Sequence, residues 1–239
     1  MLNVVALVQA RLNSTRLPHK VIKEIVGKPM IEILLSRLSH SKKINQILVA
    51  TSVNSENNKL QLLVESLGYK CTRGSEDDVL NRFYKAAKFA NANVIVRITG
   101  DCPLVDPELV DLCIQGFEKS KVDYFSNTNP ETYPDGLDIE VMSFEALELA
   151  NIEANSKFDR EHVTSYIRNT KKFSQDSMSN SENLSNLRWT VDEPEDLIVI
   201  RNVFEHFYPN TLFGWSDVLD LYRKNPNIFK FNRYVERNE

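Results

Sequence analysis

The sequence predicts an α/β fold, a three-layer α/β/α domain built around a mainly parallel sheet. In the first half of the 239-residue chain, short apolar runs alternate with longer amphipathic segments. This alternation is typical of β-α-β units, because parallel strands need a crossover connection that is usually a helix. The length suits one such domain, and a composition of 42% hydrophobic and 26% charged residues is ordinary for a globular protein.

Hydrophobic periodicity predicts the elements of the first half in order. The predicted strands are Val4–Val8, Ile47–Ser52, Tyr69–Arg73 and Val94–Ile98. The predicted helices are Met30–Leu38, Glu56–Gly68, Asp77–Ala90 and Pro107–Ser120. Asp106 precedes a proline at the first helical position, so we expect its side chain to cap the last of these helices.

The second half of the chain is less regular. Its turn-rich stretch Asp123–Asp138 predicts a long loop over a site, and the polar stretch Ser174–Asn186 predicts a mobile loop. The remaining predicted elements are a strand at Leu137–Ser143, helices at Phe144–Asn155 and Phe158–Asn169, a short strand near Trp189 and a helix from Pro194. We interpret residues 1–239 as a single domain with an inserted β-rich or lid element at about 126–186.

Charge and cysteine content exclude several classes of function. The formal net charge is −4, which disfavours nucleic acid as a partner. No window has the length of apolar sequence that a membrane span needs, and no leader is recognisable. The three cysteines have no CxxC spacing, which argues against a disulfide framework or a thiolate zinc site. We therefore expect a reduced, cytoplasmic protein.

The first strand is followed at once by a cationic loop. Ligands of open parallel sheets bind outside the carboxyl ends of the strands, so this position is informative. Arg11, Arg16 and Lys20, with hydroxyl groups at Ser14 and Thr15, are groups that bind phosphate oxygens. Neither a P-loop nor a GxGxxG motif is present. From spacing alone, a solvated surface loop is the alternative.

Two aspartates follow other predicted strands. Asp101 lies in ITGDCPLVDP and Asp192 in WTVDEPEDL, each just after an apolar run. Mg²⁺ binds few protein carboxylates and keeps phosphate oxygens and waters as its other ligands, so the pair suits a metal–triphosphate site. Taken alone, Asp101 is equally well explained as an ordinary loop residue. Asp192 is also suited to capping the helix at Pro194, and we assign Glu195 and Asp196 to the first turn of that helix.

A series of motifs spread from about Val4 to about Leu197 resembles one family. The motifs are QARLNSTRLPHKV, ATS, RGSEDDVLNRF, VRITGDCPLVDP, DYFSNT, YPDGLDIEV, REHVTSYI and WTVDEPEDL. They resemble the cytidylyltransferase family named for the spore-coat polysaccharide biosynthesis protein SpsF. That family is related to the CMP-KDO synthetases and acylneuraminate cytidylyltransferases, and GKPM at Gly27–Met30 strengthens the likeness.

The resemblance implies a Rossmann-type fold of the nucleotide-diphospho-sugar transferase kind. It also implies transfer of CMP from CTP to an anionic sugar, sugar acid or sugar phosphate, with Mg²⁺ as cofactor and a homodimer as the assembly. The implied catalytic residues are Arg11, Lys20, Asp101 and Asp192, the two aspartates being the metal ligands. The implied nucleotide-binding residues are Leu7, Gln9, Ala10, Arg11, Ser14, Arg16, Lys20, Arg73, Gly74, Ser75, Thr99 and Gly100. The implied acceptor-binding residues are Asn127, Tyr133, Asp135, Gly136, Asp138, Glu140, Arg160, Glu161 and His162.

Departures from the related families narrow the expected acceptor. Thr99 and Cys102 stand where CMP-KDO synthetases carry glutamine and glutamate, and RGSEDDVLNR replaces their DHxSGTDR motif. KDO is therefore not the expected acceptor. A nucleotide-sugar-dependent glycosyltransferase is the alternative enzyme, although GDCPLVDP lacks the DxD motif of that class. A non-catalytic nucleotide-binding subunit is disfavoured because both aspartates and the lysine are present.

Overall fold

A seven-stranded sheet forms the centre of the computed structural model, which describes residues 2–235. The strands are β1 (Val4–Gln9), β2 (Glu24–Ile25), β3 (Lys28–Pro29), β4 (Gln46–Ser52), β5 (Lys70–Gly74), β6 (Val94–Thr99), β7 (Tyr124–Ser126), β8 (Glu140–Ser143) and β9 (Gln175–Ser177). The order in the large sheet is β5-β4-β1-β6-β8-β7-β9, while β2 and β3 form a separate two-stranded sheet. All pairings in the large sheet are parallel except those of β8 with β6 and β7. The predicted mainly parallel sheet is confirmed.

Helices cover both faces of this sheet. They are α1 (Met30–Leu38), α2 (Asn58–Ser66), α3 (Val79–Phe89), α4 (Pro107–Ser120), α5 (Phe144–Glu153), α6 (Lys157–Glu161), α7 (Ser165–Asn169), α8 (Pro194–Phe207) and α9 (Trp215–Lys224). Short 3₁₀ helices lie at Lys20–Ile22, Ser55–Asn57 and Pro226–Asn232. No helix within residues 2–235 has the length and apolar character needed to cross a bilayer.

The apolar core has two halves, one on each face of the sheet. Along β1, Val4, Ala6 and Val8 point into the half that α1, α2, α4, α8 and α9 cover. Val5 and Leu7 point into the half that α3, α5 and α7 cover. A strand buried on both faces is continuously apolar, which is why β1 could be read directly from the sequence.

Three predictions for the second half are corrected by the structure. The segment Ser174–Asn186 is not wholly a mobile loop, because β9 pairs with β7 at the edge of the sheet. The strand predicted near Trp189 is a single bridge between Arg188 and Asp135. The helix predicted at Phe158–Asn169 is divided into α6 and α7, since Val163 has a positive φ of 53° that no helix accommodates.

The segment at about 126–186 shares the central sheet, because it supplies β8 and β9. Its first part, residues 127–139, runs outside the sheet between β7 and β8, and we call it the acceptor loop after the role predicted for it. Asn127 stabilises this loop by donating from its side-chain amide to the carbonyl of Leu137 at 2.8 Å. The same side chain accepts from the amide of Ile139 at 2.8 Å. Whether the segment acts as a lid stays a prediction.

Candidate active site

The cationic loop after β1 is anchored rather than free in solvent. Leu12, Leu17 and Val21 are buried in the core between the basic residues. The amide of Leu12 also donates to the buried side-chain oxygen of Asn57 at 2.8 Å, which ties the loop to the region after β4. The apolar positions anchor the loop in the core, and Arg11, Ser14 and Arg16 line one cavity, which favours a binding role over a solvated surface loop.

This cavity lies at the carboxyl ends of β1 and β6. Its lining consists of Gln9, Ala10, Arg11, Asn13, Ser14, Thr15, Arg16, Lys20, Val21, Thr99, Gly100, Asp101 and Asp192. Ten of the predicted nucleotide, catalytic and metal residues therefore line a single cavity, Asp101 and Asp192 included. They meet because β1 and β6 are adjacent and parallel, with Gln9 in register with Thr99.

Gly100 lets the two strand ends approach closely. Its amide donates to the carbonyl of Gln9 at 2.7 Å. A Cβ atom at position 100 would lie 2.8 Å from that carbonyl oxygen and 2.9 Å from the Cβ of Ala10. The glycine is therefore required by strand packing at the floor of the cavity.

Lys20 joins the two aspartates. Its Nζ donates to Oδ2 of Asp101 at 2.7 Å and to Oδ1 of Asp192 at 2.7 Å. Burial lowers the pKa of Lys20, but the two carboxylates more than compensate and raise it. Burial likewise raises the pKa of Asp101, yet the charge and hydrogen bond of Lys20 dominate and lower it to about 2. Both groups are therefore charged at neutral pH.

A backbone hydrogen bond between residues 90 positions apart brings Asp192 close to Asp101. The amide of Val191 donates to the carbonyl of Asp101 at 2.8 Å. Asp192 does not cap α8, because Glu193 holds the N-cap position and forms a capping box with Asp196. The capping role that the sequence allowed for Asp192 is thus wrong, and its carboxylate is available to the cavity.

The two arginines of the loop differ in their partners. Arg16 lies 3.1 Å from Oδ1 of Asp192 and 3.2 Å from Oε1 of Glu193. Arg11 donates to Oε1 of Glu76 at 2.7 Å. Both guanidinium groups are partly exposed, with side-chain exposures of 39% for Arg16 and 44% for Arg11. They can therefore turn toward an anion in the cavity.

The donor set fits a magnesium ion that is completed by phosphate. Two carboxylates that each lie 2.7 Å from one ammonium nitrogen are near enough to share a divalent cation. Within residues 2–235, no group of three or more His, Cys, Asp or Glu side chains forms a self-sufficient metal site. Mg²⁺ commonly takes one or two carboxylates and fills its remaining positions with water and substrate oxygens.

Several predicted nucleotide residues do not line this cavity. Leu7 is fully buried in the core. Arg73 donates to the carbonyls of Ser52 and Asn54 at 3.0 and 2.8 Å, so it braces the end of β4. Gly74 packs on Arg82, whose Cγ would lie 2.8 Å from an added Cβ.

Ser75 accepts from the amide of Asp78 at 3.0 Å, just before α3. Contacts of these residues with a nucleotide stay predictions.

The predicted acceptor residues fall into two groups. In the acceptor loop, Asp135 pairs with Arg188 at 3.0 Å, and Tyr133 makes an edge contact with the ring of Trp215. Gly136 has a φ of 104°, and a Cβ there would lie 2.5 Å from the amide nitrogen of Thr190.

This group lies beside the cavity. Asp135 pairs with Arg188, which also contacts Asp192 of the cavity at 3.4 Å. Burial raises the pKa of the Cys102 thiol, and the charges of Asp101, Asp138 and Asp135 raise it further.

The other acceptor residues have structural partners. Glu140 is paired with Arg97 and accepts from the hydroxyl of Tyr124 at 2.5 Å. Arg160 forms a two-pronged pair with Asp78, at 2.8 and 2.7 Å.

Two further residues of this group lie on or beside α6. Glu161 is exposed at its end, and His162 packs on the ring of Phe158 with centroids 4.3 Å apart. None of these residues lines the cavity, and acceptor binding by them stays a prediction.

Comparison with known proteins identifies the family. A sequence model described as "Cytidylyltransferase" matches residues 5–206, which is most of the chain. The chain belongs to the cytidylyltransferase family.

Two curated relatives and one solved structure are similar along their whole length. An uncharacterised protein of Methanocaldococcus jannaschii is 39% identical over 239 residues, covering 99% of this chain and 97% of the relative. The spore coat polysaccharide biosynthesis protein SpsF of Bacillus subtilis is 31% identical over 235 residues, covering 95% and 97%. A cytidylyltransferase structure from Leptospira borgpetersenii has a TM-score of 0.92 and 29% identity, with full coverage of both chains. The predicted fold and SpsF-type resemblance are confirmed.

Three residues that matter to this cytidylyltransferase site were missed by the motif analysis. Glu76 holds Arg11, Asn57 holds the cationic loop, and Arg188 contacts Asp192. Glu76 and Arg188 lie in or beside quoted motifs, RGSEDDVLNRF and WTVDEPEDL, so their sequence positions carried a signal. Asn57 carried none, because its role depends on a contact made across 45 residues.

Proposed function

We propose that this cytidylyltransferase transfers CMP from CTP to an anionic sugar, a sugar acid or a sugar phosphate, and releases pyrophosphate. The observation that carries the proposal is the Lys20 ammonium shared by Asp101 and Asp192 in a cavity flanked by Arg11 and Arg16. Such an arrangement of cations and carboxylates suits a metal-bound triphosphate.

The residues have separate roles in the proposed reaction. Arg11, Arg16 and Lys20 bind the phosphates and neutralise the charge that develops on the departing pyrophosphate. Asp101 and Asp192 would hold Mg²⁺, which would polarise the phosphate oxygens when bound. An acceptor oxygen attacks the α-phosphorus, and the bond between that phosphorus and the bridging oxygen of the β-phosphate breaks. Positioning and charge neutralisation supply most of the acceleration.

The acceptor class has weaker support than the nucleotide class. The sugar acceptor is supported by the ordered motifs and by the relative in B. subtilis, which is named for spore coat polysaccharide biosynthesis. The acceptor loop beside Asp101 is the element that would bind it. The alternative, a nucleotide-sugar-dependent glycosyltransferase, would transfer the sugar rather than the nucleotide.

A pyrophosphate-release screen tests this proposal. Purified protein is supplied with Mg²⁺, one of CTP, UTP, ATP or GTP, and a panel of sugar acids and sugar phosphates. We expect pyrophosphate only with CTP and an anionic sugar, and expect Asp101→Asn and Asp192→Asn to abolish it while the protein stays folded. Full release by both variants refutes the mechanism. Stabilisation in a thermal-shift assay by nucleotide sugars but not by CTP supports the glycosyltransferase.

Two further expectations are proposed with the function. We propose a cytoplasmic location, where CTP is available, and a homodimer. Light scattering after size-exclusion chromatography tests the homodimer, and a mass equal to one chain contradicts it.

A further inference from the structure

Arg188 is a buried residue whose backbone is fixed against the acceptor loop. It is 8% exposed and forms a one-residue parallel bridge with Asp135. The amide of Asp135 donates to the carbonyl of Leu187 at 2.9 Å, and the amide of Trp189 donates to the carbonyl of Asp135 at 2.7 Å. Arg188 therefore moves only if the acceptor loop moves with it.

The guanidinium of Arg188 is shared by carboxylates from different segments. Its Nη1 donates to Asp135 in the acceptor loop at 3.0 Å. Its Nε and Nη2 donate to both oxygens of Asp196 in α8, at 2.9 and 3.0 Å. Its Nη2 also faces Oδ2 of Asp192 at 3.4 Å. The last distance exceeds that of an ordinary N–H···O bond, so Arg188 acts on Asp192 mainly through charge.

Asp196 fixes the main chain of Asp192. Its Oδ2 accepts from the amides of Asp192 and Glu193 at 3.0 and 2.9 Å, and Asn232 donates to its Oδ1 at 2.9 Å. Asp196 is fully buried. The Arg188–Asp196 pair thus contacts Asp192 at two places. Asp196 binds its backbone amide, and Arg188 faces its carboxylate.

The two oxygens of Asp192 therefore face different cations. Oδ1 faces Lys20 and Oδ2 faces Arg188, which defines the rotation of the carboxylate. We propose that Arg188 is a positioning residue that sets the carboxylate of Asp192 for phosphate chemistry and links it to the acceptor loop through Asp135. The inference rests on the proposed function, from which Asp192 takes its role.

Lysine cannot replace arginine in this position. A guanidinium presents several N–H groups in a rigid plane and can reach three carboxylates at once, whereas an ammonium is a compact point charge on a flexible stem. Arg188→Lys keeps the charge and removes the fork. It is therefore the variant that separates positioning from simple charge balance.

The test measures metal binding and turnover in parallel. Mn²⁺ binding to the protein with CTP is followed by electron paramagnetic resonance, and pyrophosphate release gives kcat and KM. Outer residues that orient a metal ligand typically contribute 10- to 100-fold, so for Arg188→Lys we expect Mn²⁺ affinity and kcat to fall by about that factor. We expect the KM for CTP to change less, because the phosphate-binding cations remain. In an Asp192→Asn background, Arg188→Lys should have no further effect on either quantity.

Arg37→Lys is the matched control. Arg37 is likewise a buried arginine, and its bonds within residues 2–235 go to backbone carbonyls, those of Val105, Leu104, Thr211 and Phe213. We expect it to lower stability without changing Mn²⁺ affinity. The proposal is overturned if Arg188→Lys behaves in the same way, with lowered stability and unchanged Mn²⁺ affinity and kcat.

A second variant decides the matter if Arg188→Lys does not fold. Asp135→Asn removes the charge of the ion pair between Arg188 and the acceptor loop, and leaves the backbone bridge and the bonds between Arg188 and Asp196. We expect weaker Mn²⁺ binding and slower turnover, and unchanged values for both overturn the link. The Mn²⁺ titration needs CTP but no acceptor. If the wild-type protein binds Mn²⁺ with CTP but transfers CMP to no sugar, the proposed acceptor is contradicted and the role of Arg188 is not.

Discussion

Replacement of Lys20 by methionine should affect acid stability, metal binding and activity together. The substitution keeps the length of the side chain and removes the charge that Asp101 and Asp192 share. The carboxylates then lose a partner at 2.7 Å each, while Arg16 and Arg188 still contact Asp192. Asp101 should therefore carry most of the effect, since Lys20 is its ion-pair partner in the structure.

The magnitude follows from the lowered pKa of Asp101. Its value of about 2, against an ordinary 3.8, corresponds to about 2.5 kcal/mol of stabilisation at roughly 1.4 kcal/mol per tenfold change in proton affinity. A carboxyl with a depressed pKa contributes this stability above its unfolded pKa and loses it as pH falls through its folded pKa. We therefore expect Lys20→Met to lower the free energy of unfolding by about 2 to 3 kcal/mol at pH 7, with the difference shrinking between about pH 4 and pH 2.

Urea denaturation at pH 7 and at pH 3 measures this difference, and pyrophosphate release measures activity. We expect activity to fall by at least about 100-fold, since a preorganised charge at the reacting phosphates is lost. Mn²⁺ should bind the variant more tightly in the absence of nucleotide, because the ammonium no longer lies between the carboxylates.

Lys28→Met is the control, since Lys28 forms an exposed pair with Glu32 at 2.9 Å, worth about 0 to 1 kcal/mol. A Lys20→Met protein with wild-type activity and a pH-independent loss of stability refutes the reasoning.

Further predictions concern the cavity and its surroundings. Arg11→Gln should raise the KM for CTP about tenfold, as expected for loss of a charged hydrogen bond to phosphate. Arg73→Gln should mainly lower the unfolding temperature. Steady-state kinetics and thermal unfolding distinguish the two variants. Gly100→Ala should cost about 1 to 3 kcal/mol, because the new methyl group meets the carbonyl of Gln9, and urea denaturation measures this. Cys102 should resist iodoacetamide at pH 8 in the folded protein, since burial first and nearby carboxylates second raise its thiol pKa; rapid labelling detected by mass spectrometry contradicts this.

The sequence determined those parts of the fold that depend on local pattern. Val4–Val8 is continuously apolar because β1 is buried on both faces, and Asp106 caps α4 by accepting from the amides of Glu108 and Leu109. The polar residues after β1 and β6 were recognisable because parallel strands bring their carboxyl ends to one edge of the sheet. The sequence thus sufficed to predict most of the residues that line this cavity, whereas their binding of a triphosphate stays a prediction.

Only the tertiary structure decided contacts between distant segments. The edge strand β9 is a polar segment that pairs with β7 because a free sheet edge offers backbone partners, which no side-chain pattern reveals. Likewise, the sequence allowed Asp192 to be either the cap of α8 or a residue of the cavity, and the structure places Glu193 at the N-cap. Arg188 shows the same limit, because its guanidinium joins the nearby carboxylates of Asp192 and Asp196 to that of Asp135, more than 50 residues away. Sequence periodicity predicts which face of a helix or strand is apolar, whereas long-range packing decides which residues contact that face.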